Sequence, residues 1–480
     1  MEQFVMDTGN TAWLLVSASM VLLMTPAVAF FYGGMVRGKS VLNMLMMVMG
    51  AAGVAALVWA LWGYSTAFGS SWHGLIGNPA EFFGLAVNDA ASPTTDSGVP
   101  ALVWVGFQAT FAMISVALVA GAIADRVRFG TWLVFSLVWV SLVYIPLAHW
   151  VWGGGLLSSG WFTDTIGMPI DIAGGLVVHI GAGASALALA LVTGRRHGFG
   201  SESMRPHHLP FVLLGAGLLW FGWFGFNAGS ELAADGTAGR AWVNTLLSAS
   251  AAMLAWVLTE RLRDGRGTSL GAASGIVAGL VAITPAAGTV QTFGAIAIGT
   301  IAGVLCALAV GLKFKFGYDD SLDVVGVHLV GGLIGTILIG FFATDGIQWS
   351  MYPEGALPGL FHGGGFRQLA TQVLAAIIAV LFAFAMTWII ATVLGKLMGW
   401  RVPEEDEVGG IDLAQHGETA YETTGRSAIA HTASYHLTTV ADRLRVAQNV
   451  GTAEDVLHPK AIIEHPEVLV SSGVDEVSNG

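Results

Sequence analysis

The chain has 480 residues, of which 54% are hydrophobic and only 11% charged, and its formal net charge is −12. So few charges cannot dress a soluble surface of this length, which excludes a soluble enzyme or a nucleic-acid binder and leaves a polytopic membrane protein. The 65 glycines and 17 tryptophans fit that solvent, because helices in lipid approach through small residues and indoles anchor at the interfaces. Cys306 is the only cysteine, so no intrachain disulfide forms.

Reading apolar runs of about 20 residues as spans predicts helices, in chain order, near 11–36, 40–68, 99–124, 129–150, 171–193, 208–230, 240–260, 269–285, 290–314, 322–344 and 366–398. The predicted fold is all-α, with eleven transmembrane helices. Basic residues cluster in alternate connections: Arg37 and Lys39; Arg126 and Arg128; Arg195, Arg196 and Arg205; Arg261, Arg263 and Arg266; Lys313 and Lys315; Lys396 and Arg401. The opposite connections hold only Arg240 and Arg367. This asymmetry predicts an outside amino terminus and a cytoplasmic carboxyl terminus. No basic stretch precedes the first span, which reads as a retained helix rather than a cleaved signal.

An odd count means that helices 1–5 and 6–10, if related, are inserted upside down relative to one another. The two halves, about 11–193 and 208–344, each contain an aspartate followed by a histidine: D-I-A-G-G-L-V-V-H from Asp171 to His179, and D-V-V-G-V-H from Asp323 to His328. At a rise of 1.5 Å per residue, His179 lies about 12 Å below Asp171 and His328 about 8 Å above Asp323. Both then approach the middle of a core about 30 Å thick from opposite sides. A lone histidine in a membrane helix reads as a hydrogen bond to a neighbouring helix, whereas a matched pair in inverted halves reads as a pathway. Asp323 reads as a helix cap. Asp171 is open to two roles, a cap and a counter-charge for a cation. His207 and His208 read as solvated, and no nucleophile–base set, cofactor motif or metal-ligand cluster appears in the spans.

The runs A-H-W-V-W-G-G-G (148–155), D-I-A-G-G-L-V-V-H (171–179), G-W-F-G-F-N-A-G-S (222–230), D-D-S-L-D-V-V-G-V-H (319–328) and V-P-E-E-D-E-V-G-G-I-D-L-A-Q-H-G-E-T-A-Y (402–421) resemble, in order and spacing, those of the ammonium transporter (Amt/Mep) family. The resemblance covers about residues 10–421. It implies eleven helices in an inverted 5+5 pseudo-repeat plus a long C-terminal helix, a homotrimer in the cell membrane, and a path for ammonium or ammonia through each subunit.

By position, Trp152, Phe111 and Ser230 resemble the residues that recruit ammonium at the outer mouth, with Asp171 behind them. Phe111 and Phe226 resemble the stacked gate, and Trp223, His179 and His328 the lining of the pore and a proton relay. The chemistry agrees with those positions. An aromatic face attracts a cation by about 0.5–2 kcal/mol, depending on desolvation, and two imidazoles offer both a donor and an acceptor. A sensor sharing the same pore, and a conduit for another small neutral solute, are the alternatives.

Residues 401–421, with Glu404, Asp412, His416 and Tyr421, resemble the cytoplasmic segment through which family members couple subunits and respond to a PII signalling protein. Position 172 is Ile where the family pattern has an aromatic residue, and the stretch from Leu156 to Ile170 is longer than that pattern. The last 59 residues, 422–480, hold eight acidic and four basic residues and read as a largely disordered cytoplasmic tail.

Overall fold

The computed structural model describes residues 5–86, 97–344 and 353–421; the tail 422–480 lies outside them. Residues up to His416 form one compact unit, and of a second unit that begins at Gly417 only 417–421 are described. Among the described residues, ten helices are long and apolar enough to cross a membrane. They are helix 1 (Thr8–Met35), helix 2 (Val41–Phe68), helix 3 (Ala101–Ile123), helix 4 (Phe129–Trp152), helix 5 (Gly175–Thr193), helix 6 (Leu209–Glu231), helix 7 (Gly236–Asp264), helix 9 (Thr292–Phe316), helix 10 (Val325–Phe342) and helix 11 (Arg367–Leu397). Helix 8 (Ser269–Ile283) is apolar but has only 15 residues. At 1.5 Å per residue it covers about 22 Å, less than a full hydrocarbon core.

Local chemistry sets many of these ends. Asp7 accepts from the Asn10 N–H at the start of helix 1, Asp235 accepts from Thr237 and Ala238 at the start of helix 7, and Thr268 accepts from Gly271 at the start of helix 8. Each satisfies donors that the first turn leaves free. Helix 7 stops at Gly265, which adopts the left-handed conformation at φ 83°. His207 and His208, expected to be solvated, are only partly exposed and have structural partners. The His207 ring bonds to the Val36 carbonyl, and His208 caps helix 6 by accepting from the Phe211 N–H.

Helix 5 opens as a π-helical turn over Gly175–Ile180, and helix 10 does the same over Val325–Leu329. Such turns are rare and concentrate at functional sites. Each carries one of the two histidines. The helices cross so closely that a Cβ on Gly183 would collide with the Leu329 backbone, while one on Gly332 would press on His179 Cβ at 3.1 Å. Small residues are required at that crossing.

At the end of the bundle that carries the basic loops, Arg196 binds Asp319 through two hydrogen bonds of 2.9 Å and reaches Asp125 at 3.2 Å. Arg126, fully buried, donates to Ser321 Oγ and to the Asp319 carbonyl. Burial alone would raise the Asp319 pKa, but the hydrogen bonds from Arg196 and the charge of Arg126 outweigh it and hold the carboxyl below its ordinary range.

The reading of Asp323 as a cap is corrected by the fold. Asp323 sits at φ 63° in a turn, and its carboxylate pairs with Lys313 Nζ at 2.7 Å. Asp320 takes the capping role instead, its Oδ2 accepting from the Val325 N–H at 2.7 Å. The Asp-to-His spacing is therefore eight residues in both halves, Asp171 to His179 and Asp320 to His328.

Candidate functional site

Phe111 of helix 3 and Phe226 of helix 6 stack with ring centroids 4.2 Å apart and planes at 23°. Both are buried because helices 3 and 6 each pack against helix 1 and turn these rings toward one another. Trp152, the last residue of helix 4, stands edge-on to Phe111 at 6.3 Å and 89°. It is only partly buried, so it forms the rim above the pair. Its indole N–H donates to the Asp171 main-chain oxygen at 2.8 Å, which fixes the ring plane.

Ser230 follows Phe226 by one turn and is also partly buried. Its hydroxyl donates to the Phe226 carbonyl at 2.8 Å. The proton is thus engaged within the helix, and the lone pairs of Oγ remain to accept from a ligand N–H.

Asp171 lies behind the rim, and its carboxylate is spent on the backbone. Oδ1 accepts from Gly174 at 2.9 Å and Gly175 at 2.5 Å, while Oδ2 accepts from Leu176 at 2.7 Å and Val177 at 3.3 Å. All four N–H groups of the opening turn of helix 5 are thereby satisfied. Of the two roles left open by the sequence, this geometry builds the cap, and it is the main-chain oxygen of Asp171, not the carboxylate, that holds the rim through the Trp152 bond.

Below the phenylalanines the side chains form one continuous column. Trp223 stacks on His179 at 5.5 Å and 22°, and His179 lies 5.4 Å from His328 at 26°. The two Nδ1 atoms are 3.3 Å apart, within hydrogen-bonding reach. His179 and His328 are 1% and 4% exposed. A narrow, almost wholly apolar cavity runs beside them, bounded by Phe226, Trp223, Val28, Phe31 and Leu118.

Sequence reasoning missed Thr284, which closes helix 8. Its Oγ1 accepts from the Trp223 indole at 2.8 Å, lies 3.3 Å from His179 Nε2, and donates to the Leu280 carbonyl at 2.7 Å. The available signal was the T-P step at 284–285, where a helix breaks inside an apolar run and exposes a hydroxyl to the neighbouring pore.

Residues 401–416 lie away from this column, on the basic loops. Asp412 Oδ1 accepts from the Asn43 N–H at 2.7 Å and Oδ2 from the Leu42 N–H at 3.0 Å, capping helix 2 from the far end of the chain. His416 meets Asn43 Oδ1 at 3.0 Å and stands edge-on to Phe129. Glu404 pairs with His197 at 2.9 Å, both well exposed. Glu407, 1% exposed, binds Arg401 and accepts from the His197 N–H. Tyr421 is exposed.

A sequence model described as Ammonium Transporter Family matches residues 12–421. The chain is 53% identical over 443 residues to the ammonium transporter of Mycobacterium tuberculosis, covering 88% of this chain and 93% of that protein. It is 46% identical over 419 residues to the ammonium transporter of Aquifex aeolicus, covering 87% and 94%. Among solved structures it resembles Mep2 of Candida albicans, with a TM-score of 0.75 and 33% identity over 87% of this chain and 91% of that one. It also resembles a sensor Amt protein, with a TM-score of 0.76 and 30% identity over 85% and 98%. With the family match spanning nearly every helix and the relatives aligned almost end to end, the chain belongs to the ammonium transporter family.

Proposed function

We propose that this protein binds ammonium at the rim formed by Trp152, Phe111 and Ser230, strips its proton, and conducts ammonia past the Phe111–Phe226 gate along the column of Trp223, His179 and His328. The observation that carries this reading is the buried Nδ1–Nδ1 contact between His179 and His328 beneath a stacked aromatic pair. A bare cation in so apolar a passage faces a cost of tens of kcal/mol. Ammonium avoids it by surrendering a proton, a step that potassium has no means to take. The histidine pair then hands the proton inward, so that transport carries charge.

The basic loops lie on the cytoplasmic side of the cell membrane, the amino terminus outside, and three copies assemble as a homotrimer. The halves 11–193 and 208–344 are inverted repeats. The matched π-turns and the shared Asp-to-His spacing of eight support that reading. Residues 401–421 dock on the basic loops as a regulatory segment open to a PII protein. The decisive experiment is current and tracer flux measured together in liposomes containing only this protein. Ammonium-dependent current with matching tracer uptake is expected, and tracer uptake with no charge movement would remove the proton from the mechanism.

The resemblance to a sensor Amt protein favours a second reading, in which the same rim reports ammonium rather than passing it. Binding at the rim without flux in the same liposomes would select it.

A further inference from the structure

Trp223, Thr284 and the two histidines form a hydrogen-bond chain whose direction is set at one end. The Trp223 indole has only a donor, so Thr284 Oγ1 accepts from it at 2.8 Å. The Thr284 hydroxyl has one proton, and it goes to the Leu280 carbonyl at 2.7 Å. What remains on Oγ1 is a lone pair. Nε2 of His179, 3.3 Å away, therefore meets an acceptor and carries the N–H. In a neutral imidazole the other nitrogen is then bare, so His179 Nδ1 accepts, and His328 Nδ1, 3.3 Å from it, donates. Nε2 of His328 is left with its lone pair.

We propose that Thr284 is a positioning residue that fixes the tautomers of the pair, His179 as the Nε2–H form and His328 as the Nδ1–H form. The inference rests on the transport reading above, and its consequence is directional. When both rings hold the opposite tautomers, His179 as Nδ1–H and His328 as Nε2–H, a proton given up by ammonium forms an N–H bond at the then bare His179 Nε2. The N–H bond at His179 Nδ1 then breaks as one forms at His328 Nδ1, and the N–H bond at His328 Nε2 breaks to release a proton. The pair finishes with N–H on His179 Nε2 and His328 Nδ1, the arrangement that Thr284 favours. Thr284 therefore stabilises the discharged pair, and each further proton waits for both rings to reset. That pause opposes a standing proton wire through the membrane and limits charge movement to one proton for each reset of the pair.

The test uses the full chain in liposomes with isotope-labelled histidine, the two rings being identified by coupling between their Nδ1 nuclei. His179 is told from His328 by its nearness to the Trp223 indole, and the expected wild-type spectrum has His179 protonated at Nε2 and His328 at Nδ1. Thr284→Val keeps the shape and removes the acceptor, so this single population should give way to a mixture, and Thr284→Ser should restore it. In ammonium-free liposomes, proton leak through Thr284→Val should rise several-fold over wild type. If the valine variant fails to assemble, Thr284→Cys, whose thiol is a weak acceptor, reads the same change. Opposite tautomers in the wild type, or an unchanged single population in the valine or cysteine variant, would overturn the proposal. Failure of the transport reading is distinct, because it would appear as absent ammonium flux with the tautomers unaltered.

Discussion

The Asp171 carbonyl holds the Trp152 indole at 2.8 Å, while the carboxylate of the same residue accepts from four consecutive backbone N–H groups. One side chain thus begins helix 5, and its main chain aims the aromatic rim. Asp171→Asn replaces one oxygen with an amide NH₂ and sets donors against donors in a buried turn. Each unsatisfied group costs about 1–3 kcal/mol. The variant should unfold at a lower temperature in detergent and lose most of its ammonium flux. Wild-type melting together with wild-type flux would show that the cap is dispensable.

The column below the gate gives a second prediction. His179→Ala or His328→Ala leaves Nδ1 of the other histidine without a hydrogen bond in an apolar passage, again about 1–3 kcal/mol per group, and breaks the proposed relay. Current in an ammonium gradient should be abolished or strongly reduced, or potassium should enter where water fills the widened path. Trimer assembly is checked first by size. An assembled double alanine variant that retains both wild-type current and potassium exclusion would make the pair structural.

Ser230 separates capture from conduction. Its proton is committed to the Phe226 carbonyl, so Ser230→Ala removes an acceptor from the rim without touching the gate or the histidines. Losing one hydrogen bond of about 1 kcal/mol corresponds to roughly a five-fold weaker capture. The half-saturating ammonium concentration should rise by about that factor, with maximal current and potassium exclusion kept. Entry of potassium into this variant would place the selectivity barrier at the rim.

How much of this was readable beforehand varied with the distance over which the cause acts. Spans are written locally in hydropathy, and the predicted 129–150 and 366–398 differ from Phe129–Trp152 and Arg367–Leu397 by two residues or fewer at each end. The aspartate of the second half was misassigned because D-D-S-L-D offers three carboxylates within five residues, and only the turn at Asp323 with its Lys313 pair leaves Asp320 to cap. Thr284 escaped notice because its role depends on Trp223 and His179, which reach it from two other helices. The bond from Asp412 to Asn43 spans 369 residues, and no local pattern encodes it.

Asp320 supplies a pH dependence. Burial pushes its carboxyl up to about 6, the charge of Lys313 opposing and that of Asp323 adding to the rise. A folded pKa above the unfolded one means that the folded protein binds the extra proton. The stabilisation is complete below the ordinary carboxylate range and is lost as pH rises through about 6. Thermal stability should therefore fall between about pH 4 and pH 7, and Asp320→Asn, which keeps an oxygen for the Val325 N–H, should flatten that slope. An unchanged slope in the asparagine variant would assign the effect to another group.

The terminal segment supplies the last prediction. Asp412 satisfies the Leu42 and Asn43 N–H groups at the start of helix 2, Glu407 binds Arg401 and the His197 N–H, and Lys39 Nζ donates to the Val408 carbonyl. These contacts tie residues 401–412 to loops next to helices 2 and 5, and helix 5 carries His179. Withdrawing the segment frees two N–H groups at one helix end and leaves Arg401 and the His197 N–H without Glu407, so the loops must rearrange. Deleting residues 402–480 should reduce or deregulate flux, Asp412→Ala should do so in part, and deleting 422–480 should matter less, because none of these contacts comes from that stretch. PII binding, measured on the same proteins, should follow the segment and not the tail. Equal flux and equal PII binding in both truncations would mean that residues 402–421 rest on the loops without controlling the path.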